Sequence, residues 1–326
     1  MRTFISAIAA VTMLAAGLAA QKKDRLNPVI ALLEHNQPVF GVYWPANGGG
    51  RRGQEPPPAR PASDLAKDAL GYRATDFLFS GSMEGGVDRG MPAYMAFVNA
   101  LMDAAGQATG SYFGLKHPLI VKTPKIAADA TKAVDNISRE LNVGAAGIMF
   151  VEAESAEEVR QGLAAMRFKS KGGTRPEAVG TAPAFWGVSE QEYRQKADLW
   201  PLNPDGELVN WTIVESKEGL AHVREIAAVK GIGVLWPGAG TLRGVFSTTN
   251  AAGERVVDTV AHENAIQQVL AACKEFKVPC GYPANATDIE TRMKQGFSVF
   301  VMNWGDAGFQ AVDIGRKAAG RTSTDR

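Results

Sequence analysis

Eight short apolar runs punctuate this chain, and their spacing most constrains what it can fold into. They are "PVFGVYW" (38–44), "TDFLFS" (75–80), "HPLIVKT" (117–123) and "AAGIMFV" (145–151), then "LVNWTIVE" (208–215), "GIGVLW" (231–236), "VPCGYP" (278–283) and "FSVFVMN" (297–303). Between most of them lie stretches such as "SAEEVRQGLAAMRF" and "ENAIQQVLAACKEF", whose apolar residues recur three and four apart. Strands alternating with amphipathic helices are the signature of parallel α/β architecture. Eight such units match a (β/α)8 TIM barrel, with an open doubly wound sheet as the alternative. No G-x-G-x-x-G follows the first strand to mark a dinucleotide fold, and neither a phosphate loop nor an H-E-x-x-H helix occurs.

Two stretches break the regular beat. Residues 45–63, after strand one, carry Arg51, Arg52 and Arg60 among Gly and Pro. Residues 169–207 follow the helix after strand four and hold Phe185, Trp186, Tyr193 and Trp200. Both exceed ordinary loop length, and the aromatic content of the second implies that it packs on something.

A barrel collects its chemistry at the C-terminal ends of its strands. Those positions supply Trp44, Glu84, Lys122, Thr123, Glu152, Glu154, Glu215, Ser216, the "PGAGT" turn, Asn285, Asn303 and Asp306. Glu215 directly ends an apolar run, and a carboxylate there is costly unless paired or bound to a metal. It reads as a ligand for Mg²⁺ or Mn²⁺, or else as a salt-bridge partner of Lys122 or a helix cap. Lys122 is a clamp for a substrate carboxylate, a Schiff-base amine, or the partner of a neighbouring acid. Glu84, in a Gly-rich turn, is a proton-handling group or a solvated one. None of the four histidines falls at a strand C-terminus, and His117 opens its strand.

With 45% hydrophobic residues in 326, the chain can bury a large core. A formal net charge of +1 argues against a dedicated nucleic-acid binder. The start, "MRTFISAIAAVTMLAAGLAAQKKDR", has a basic Arg2, an apolar run from Phe4 to about Ala16, and small residues at Gly17, Ala19 and Ala20. That pattern reads as a secretory signal over residues 1–20, too short for a stable membrane span, followed by a single exported domain over 21–326. An uncleaved anchor is the rival reading. Export permits disulfides, yet Cys273 and Cys280 fall in a helix and at a strand start, so two unbonded core thiols are expected, with a bond between them as the alternative.

The order of motifs resembles the HpcH/HpaI aldolase and citrate lyase β-subunit family from about Asn27 to Ala318. The resemblance rests on "PVFGVYW", "DFLFSGSMEGG", "PLIVKTP", "VGAAGIMFVEAESAEEVRQGLAAMRF", "WTIVESKEGLAHVREIAAVKGIGVLWPGAGTL" and "GFSVFVMNWGDAGF". It implies a (β/α)8 barrel, commonly oligomeric, that reversibly cleaves a carbon–carbon bond of a 4-hydroxy-2-oxo acid. It also implies a divalent metal held by a Glu after strand five and an Asp after strand six. An Arg after strand three grips substrate, and an Asp-x-Glu-His group after strand two moves protons. Glu215 falls on the metal-binding Glu and Glu84 on the Glu of the proton group, with one residue inserted. Lys122 replaces the Arg, keeping its charge but losing the bidentate fork. Gly85 stands where the His is expected and Gly240 where the Asp is expected.

The expected site is therefore Glu84 and Lys122 in catalysis, Lys122, Ser216, Ala239 and Gly240 against substrate, and Glu215 on the metal. Glu152 or Asp306 are candidates for a replacement carboxylate, and Arg51 or Arg52 for a substrate grip. The partner is a small 2-oxo acid or carboxylate, in a homo-oligomer with no nucleic acid. An inactive exported barrel that binds a small carboxylate is the other reading left open.

Overall fold

The computed structural model describes residues 25–46, 58–109 and 117–322. The expected signal segment over 1–20, together with Arg51 and Arg52, lies outside the described residues. All eight expected runs form strands: β1 (Val39–Tyr43), β2 (Phe77–Ser80), β3 (Leu119–Thr123), β4 (Gly147–Phe150), β5 (Leu208–Val214), β6 (Val234–Pro237), β7 (Gly281–Pro283) and β8 (Val299–Met302). They pair in parallel in the order β7–β8–β1–β2–β3–β4–β5–β6. The sheet curls into a barrel-like form. A single parallel bridge, Leu235 to Cys280, brings β6 to the start of β7, and the Leu235 N–H donates to the Pro279 carbonyl at 2.9 Å.

The runs are apolar throughout because both faces of the sheet are covered. Along β5 all seven residues are buried. Val209, Trp211 and Ile213 face inward with Val39, Phe77, Ile120, Met149, Val234, Trp236, Val299 and Val301, while Leu208 and Val214 join the helical layer outside. The interior is filled by rings. Trp211 stacks between Phe79 and Trp236, with centroids 5.9 and 5.4 Å away, and Phe77 meets it edge-on at 5.0 Å. Glycine makes room for them. A Cβ on Gly41 would lie 2.2 Å from Phe77, and one on Gly281 would lie 1.7 Å from Trp236.

The helix Pro28–Glu34 plugs the N-terminal end of the sheet with Val29, Ile30 and Leu33. Asn27 caps it by accepting the Val29 N–H at 3.1 Å, and Pro28 sits where a missing N–H costs nothing. Residues 169–207 fold against the outside through the short helices Ala182–Trp186 and Glu190–Lys196, burying Phe185, Trp186 and Tyr193. Two short elements were not anticipated: a two-residue strand Leu199–Trp200 beside β5, and a hairpin of Ser247–Thr249 with Arg255–Val257. No helix among the described residues is long and apolar enough to cross a membrane.

The cysteines correct the sequence reading. Cys273 and Cys280 are joined in a disulfide, with Cα atoms 5.7 Å apart. The helix Thr259–Phe276 ends on Lys277 in the left-handed region (φ 55°), which turns the chain back so that the Val278 N–H reaches the Cys273 carbonyl at 3.0 Å. That reversal is invisible to periodicity, because a lysine seldom signals a left-handed cap. The bond sits beside the Leu235–Cys280 bridge that joins β6 to β7. Closing a loop this short is worth about 2.5 kcal/mol in the chain-entropy account. The Cys273→Ala/Cys280→Ala double variant is accordingly expected to lose stability of that order in urea denaturation; an unchanged midpoint would show that the staple adds nothing.

Candidate functional site

Side chains alternate along a strand, so the inward row of each strand ends at the mouth of the curled sheet. On β1 the row Val39, Gly41 ends in Tyr43; on β3 it runs from Ile120 to Lys122; on β5 it runs through Trp211 and Ile213 to Glu215. Phe79, Val151, Ile213, Trp236 and Val301 belong to this interior cluster and form its apolar upper layer. The "SGSMEGG" turn after β2 brings Glu84 to the same end of the sheet.

Lys122 and Glu84, expected at the site, form an ion pair. The ammonium Nζ donates to Glu84 Oε1 at 3.1 Å and Oε2 at 3.0 Å. The Lys122 side chain is 15% exposed and that of Glu84 41%. This settles one alternative: the neighbouring acid of Lys122 is Glu84, and among the described residues no ion pair links Lys122 to Glu215.

Tyr43 is the residue that strand reading missed. Trp44 ends the apolar run, but it packs outward against Tyr94 and Phe97, and Tyr43 is 37% exposed at the mouth. Its ring stands edge-on to Phe79, 5.0 Å between centroids and 89° between planes. Burial pushes its phenol above the ordinary tyrosine value, the Lys122 cation opposes that rise, and the Glu84 charge reinforces it. Alternation leads to Tyr43 only once Val39 is known to face the interior, which the fold shows.

Glu215 is buried, and it is neither paired with Lys122 nor capping a helix. Its Oε1 accepts the Glu152 N–H at 3.0 Å. Glu152 adopts φ 47°, a left-handed conformation uncommon for a side-chain-bearing residue. Gly238 packs against the carboxylate so closely that a Cβ there would lie 2.3 Å from Glu215 Cβ and 2.7 Å from Oε2. Glu152, a candidate second metal carboxylate, instead turns to Lys125, which binds Glu152 at 3.4 Å and Glu154 at 2.6 Å. Lys125 and then Ser216 hold the Glu154 carboxyl below its ordinary value. Ser216 caps the helix Lys217–Ala221 by accepting the Gly219 N–H at 3.0 Å.

The other expected residues are placed as follows. Ala239 is buried at the start of the helix Ala239–Val245, and its carbonyl accepts from His262 Nε2 at 2.8 Å. Gly240 is exposed, with open space where a Cβ would be. Gly85 is exposed, and a Cβ on it would meet only the mobile end of Arg89. Asp306 is exposed in the first turn of the helix Asp306–Ala318.

Among the described residues no three His, Cys, Asp or Glu side chains gather into a metal cage. Hard divalent ions take six or more oxygen ligands and are anchored by protein carboxylates. Glu215 offers one such group, and Gly240 supplies no donor where a second is expected. The residues present thus fall short of the implied Glu–Asp pair.

Comparison with known proteins gives three results. The sequence model of the HpcH/HpaI aldolase/citrate lyase family matches residues 116–309. No curated protein matches the chain. Among solved structures, the chain is similar to an HpcH/HpaI aldolase/citrate lyase family protein from Burkholderia cenocepacia J2315 (TM-score 0.62, 21% identity, 90% of this chain and 98% of that one). It is also similar to an HpcH/HpaI aldolase from Desulfitobacterium hafniense DCB-2 (0.59, 17%, 84% and 89%). A third similar structure is macrophomate synthase (0.56, 19%, 96% and 97%). Identities this low speak for the fold alone.

Proposed function

The chain belongs to the HpcH/HpaI aldolase/citrate lyase family, and from that premise we propose that it cleaves a carbon–carbon bond of a small 2-oxo acid through an enolate. The curled sheet is read as a (β/α)8 barrel whose closure rests on the Leu235–Cys280 bridge. The observation that carries the proposal is the Lys122–Glu84 pair, partly sheltered at the mouth above apolar side chains.

The chain's own residues suit that chemistry. An ammonium has three N–H donors, and two of those on Lys122 go to Glu84, which leaves one for a substrate oxygen. A cation there offsets negative charge as it grows on the enolate oxygen. In a 4-hydroxy-2-oxo acid, Glu84 takes the proton of the 4-hydroxyl. The bond between carbons 3 and 4 breaks, its electron pair enters the enolate of pyruvate, and an aldehyde leaves. The apolar floor keeps water from competing. Among the described residues Glu215 gathers no cluster of three carboxylate, His or Cys donors for Mg²⁺ or Mn²⁺, so no step here is routed through a metal.

The glycines at 85 and 240 support a second reading, an inactive barrel that only binds a small carboxylate. Exchange of the pyruvate methyl protons for deuterium, followed by NMR, separates the two. Exchange is expected, and it would persist in EDTA. Stabilisation by oxalate in a thermal melt without any exchange would sink the lyase and leave the binder. Stabilisation by Mn²⁺ that disappears in Glu215→Ala would restore the metal to the site. The Cys273–Cys280 bond supports reading the protein as exported, since such bonds persist in oxidising compartments.

A further inference from the structure

We propose that Tyr43 carries the proton to and from the enolate carbon, the role for which Gly85 offers no side chain. The inference rests on the lyase reading above. After cleavage the enolate must gain a proton at carbon 3, and the donor must sit at the mouth, hold a proton at rest and be fixed in place. Glu84, protonated by the departing hydroxyl, is the rival donor, and the Tyr43 variants below separate the two.

The histidines are engaged elsewhere. One ring nitrogen of each meets a main-chain carbonyl: His35 that of Ala31 at 2.7 Å, His117 that of Tyr72 at 3.4 Å, His222 that of Glu154 at 3.0 Å and His262 that of Ala239 at 2.8 Å.

Tyr43 meets each requirement. It ends the inward row of β1, on the same face of the sheet as Lys122. Its ring stands edge-on to Phe79, and Phe79 stacks on Trp211, so a rigid column sets where the hydroxyl lies. It is open enough to meet a ligand. A tyrosine phenol holds its proton at neutral pH and burial pushes it further up, so it starts as an acid, while the Lys122 cation steadies the phenolate left when the proton departs.

The step balances. The phenol proton passes to carbon 3, the enolate electron pair forms the new C–H bond, and the carbonyl is restored. Solvent then reprotonates the phenolate and takes the proton held by Glu84, so both groups are reset with no net proton gained or lost. In the reverse direction the phenolate removes a methyl proton of pyruvate, which is what deuterium exchange reports.

The test compares wild type, Tyr43→Phe and Tyr43→His in pyruvate methyl exchange. Phenylalanine keeps the edge contact with Phe79 and removes only the hydroxyl. Its kcat is expected to fall about 100-fold, the low end for a lost acid–base group, with KM unchanged. Histidine restores part of the rate. Wild-type exchange should rise with pH, because the phenolate must take the methyl proton, and the residual Tyr43→Phe rate should lack that rise. A Tyr43→Phe protein with the wild-type kcat and pH profile overturns the assignment while leaving the lyase reading intact. A wild type without exchange overturns both.

Discussion

Replacing Lys122 by methionine is expected to lower pyruvate methyl exchange about 100-fold and to abolish stabilisation by oxalate. Truncating one partner of a sheltered, hydrogen-bonded charge pair costs several kcal/mol in binding, and about 2.7 kcal/mol corresponds to a factor of 100. In the resting protein the ammonium is held 3.0 and 3.1 Å from the two oxygens of Glu84. Methionine matches the stem of lysine but offers no cation to hold the substrate carboxylate or to offset the enolate. The fold should tolerate the change, since Glu84 is open to solvent and an ion pair of this exposure contributes about 1 kcal/mol or less. Lys122→Arg keeps the charge in a different shape and should recover binding better than turnover. If Lys122→Met exchanges pyruvate as fast as wild type, the site lies elsewhere on the mouth.

The second large effect is one of stability, and it comes from a group away from the mouth. Glu140 lies in the helix Ala130–Asn142, fully buried, with neither carboxylate oxygen hydrogen-bonded. The groups acting on it are Thr123 at the end of β3 and Arg139 of its own helix, and the buried Tyr94 feels its charge. Arg139 is drawn outward to Asp88 at 2.7 Å and does not neutralise it. Burial therefore raises the Glu140 carboxyl well above its ordinary value of 4.5, and the Thr123 and Arg139 contributions only oppose that rise.

A raised value means that the folded state holds a proton that the unfolded chain releases. The stability that goes with it is fully present below the unfolded pKa and is lost as pH climbs toward the folded one. Over that window the slope is about 1.4 kcal/mol per pH unit for one proton. Glutamine cannot ionise, so Glu140→Gln should be matched with wild type near pH 4 and gain on it steadily toward pH 7, in urea melts at a series of pH values. A difference between the two proteins that stays flat across that range would show that Glu140 is ionised and compensated in the native state.

Much of the architecture was legible because a covered parallel strand needs both faces apolar. All eight runs became strands, and the ends moved by a few residues because the run outlasts the hydrogen-bonded ladder. The short strand Leu199–Trp200 was not legible, since two residues carry no period. The disulfide was missed because it depends on a left-handed Lys277 that folds Cys280 back onto Cys273. At the site, residue types were legible and partnerships were not. Glu215 stood out as a carboxylate on an apolar run, but its hydrogen bond comes from the backbone of Glu152, on a neighbouring strand end. Tyr43 was not legible beside Trp44, one residue further on, because a run alone does not show which of its last two side chains turns inward.

By itself, then, the sequence determined the eight apolar strands and their order along the chain, the family, and the absence of the expected His and Asp at Gly85 and Gly240. Those are properties of a one-dimensional pattern of apolar spacing and residue identity. Only the tertiary structure decided that Lys122 belongs to Glu84 rather than to Glu215, and that Tyr43 faces the mouth. It alone showed that Cys273 is bonded. The reason is that pairing depends on which strands are neighbours and on the direction of each Cβ, and the curl of the sheet sets both.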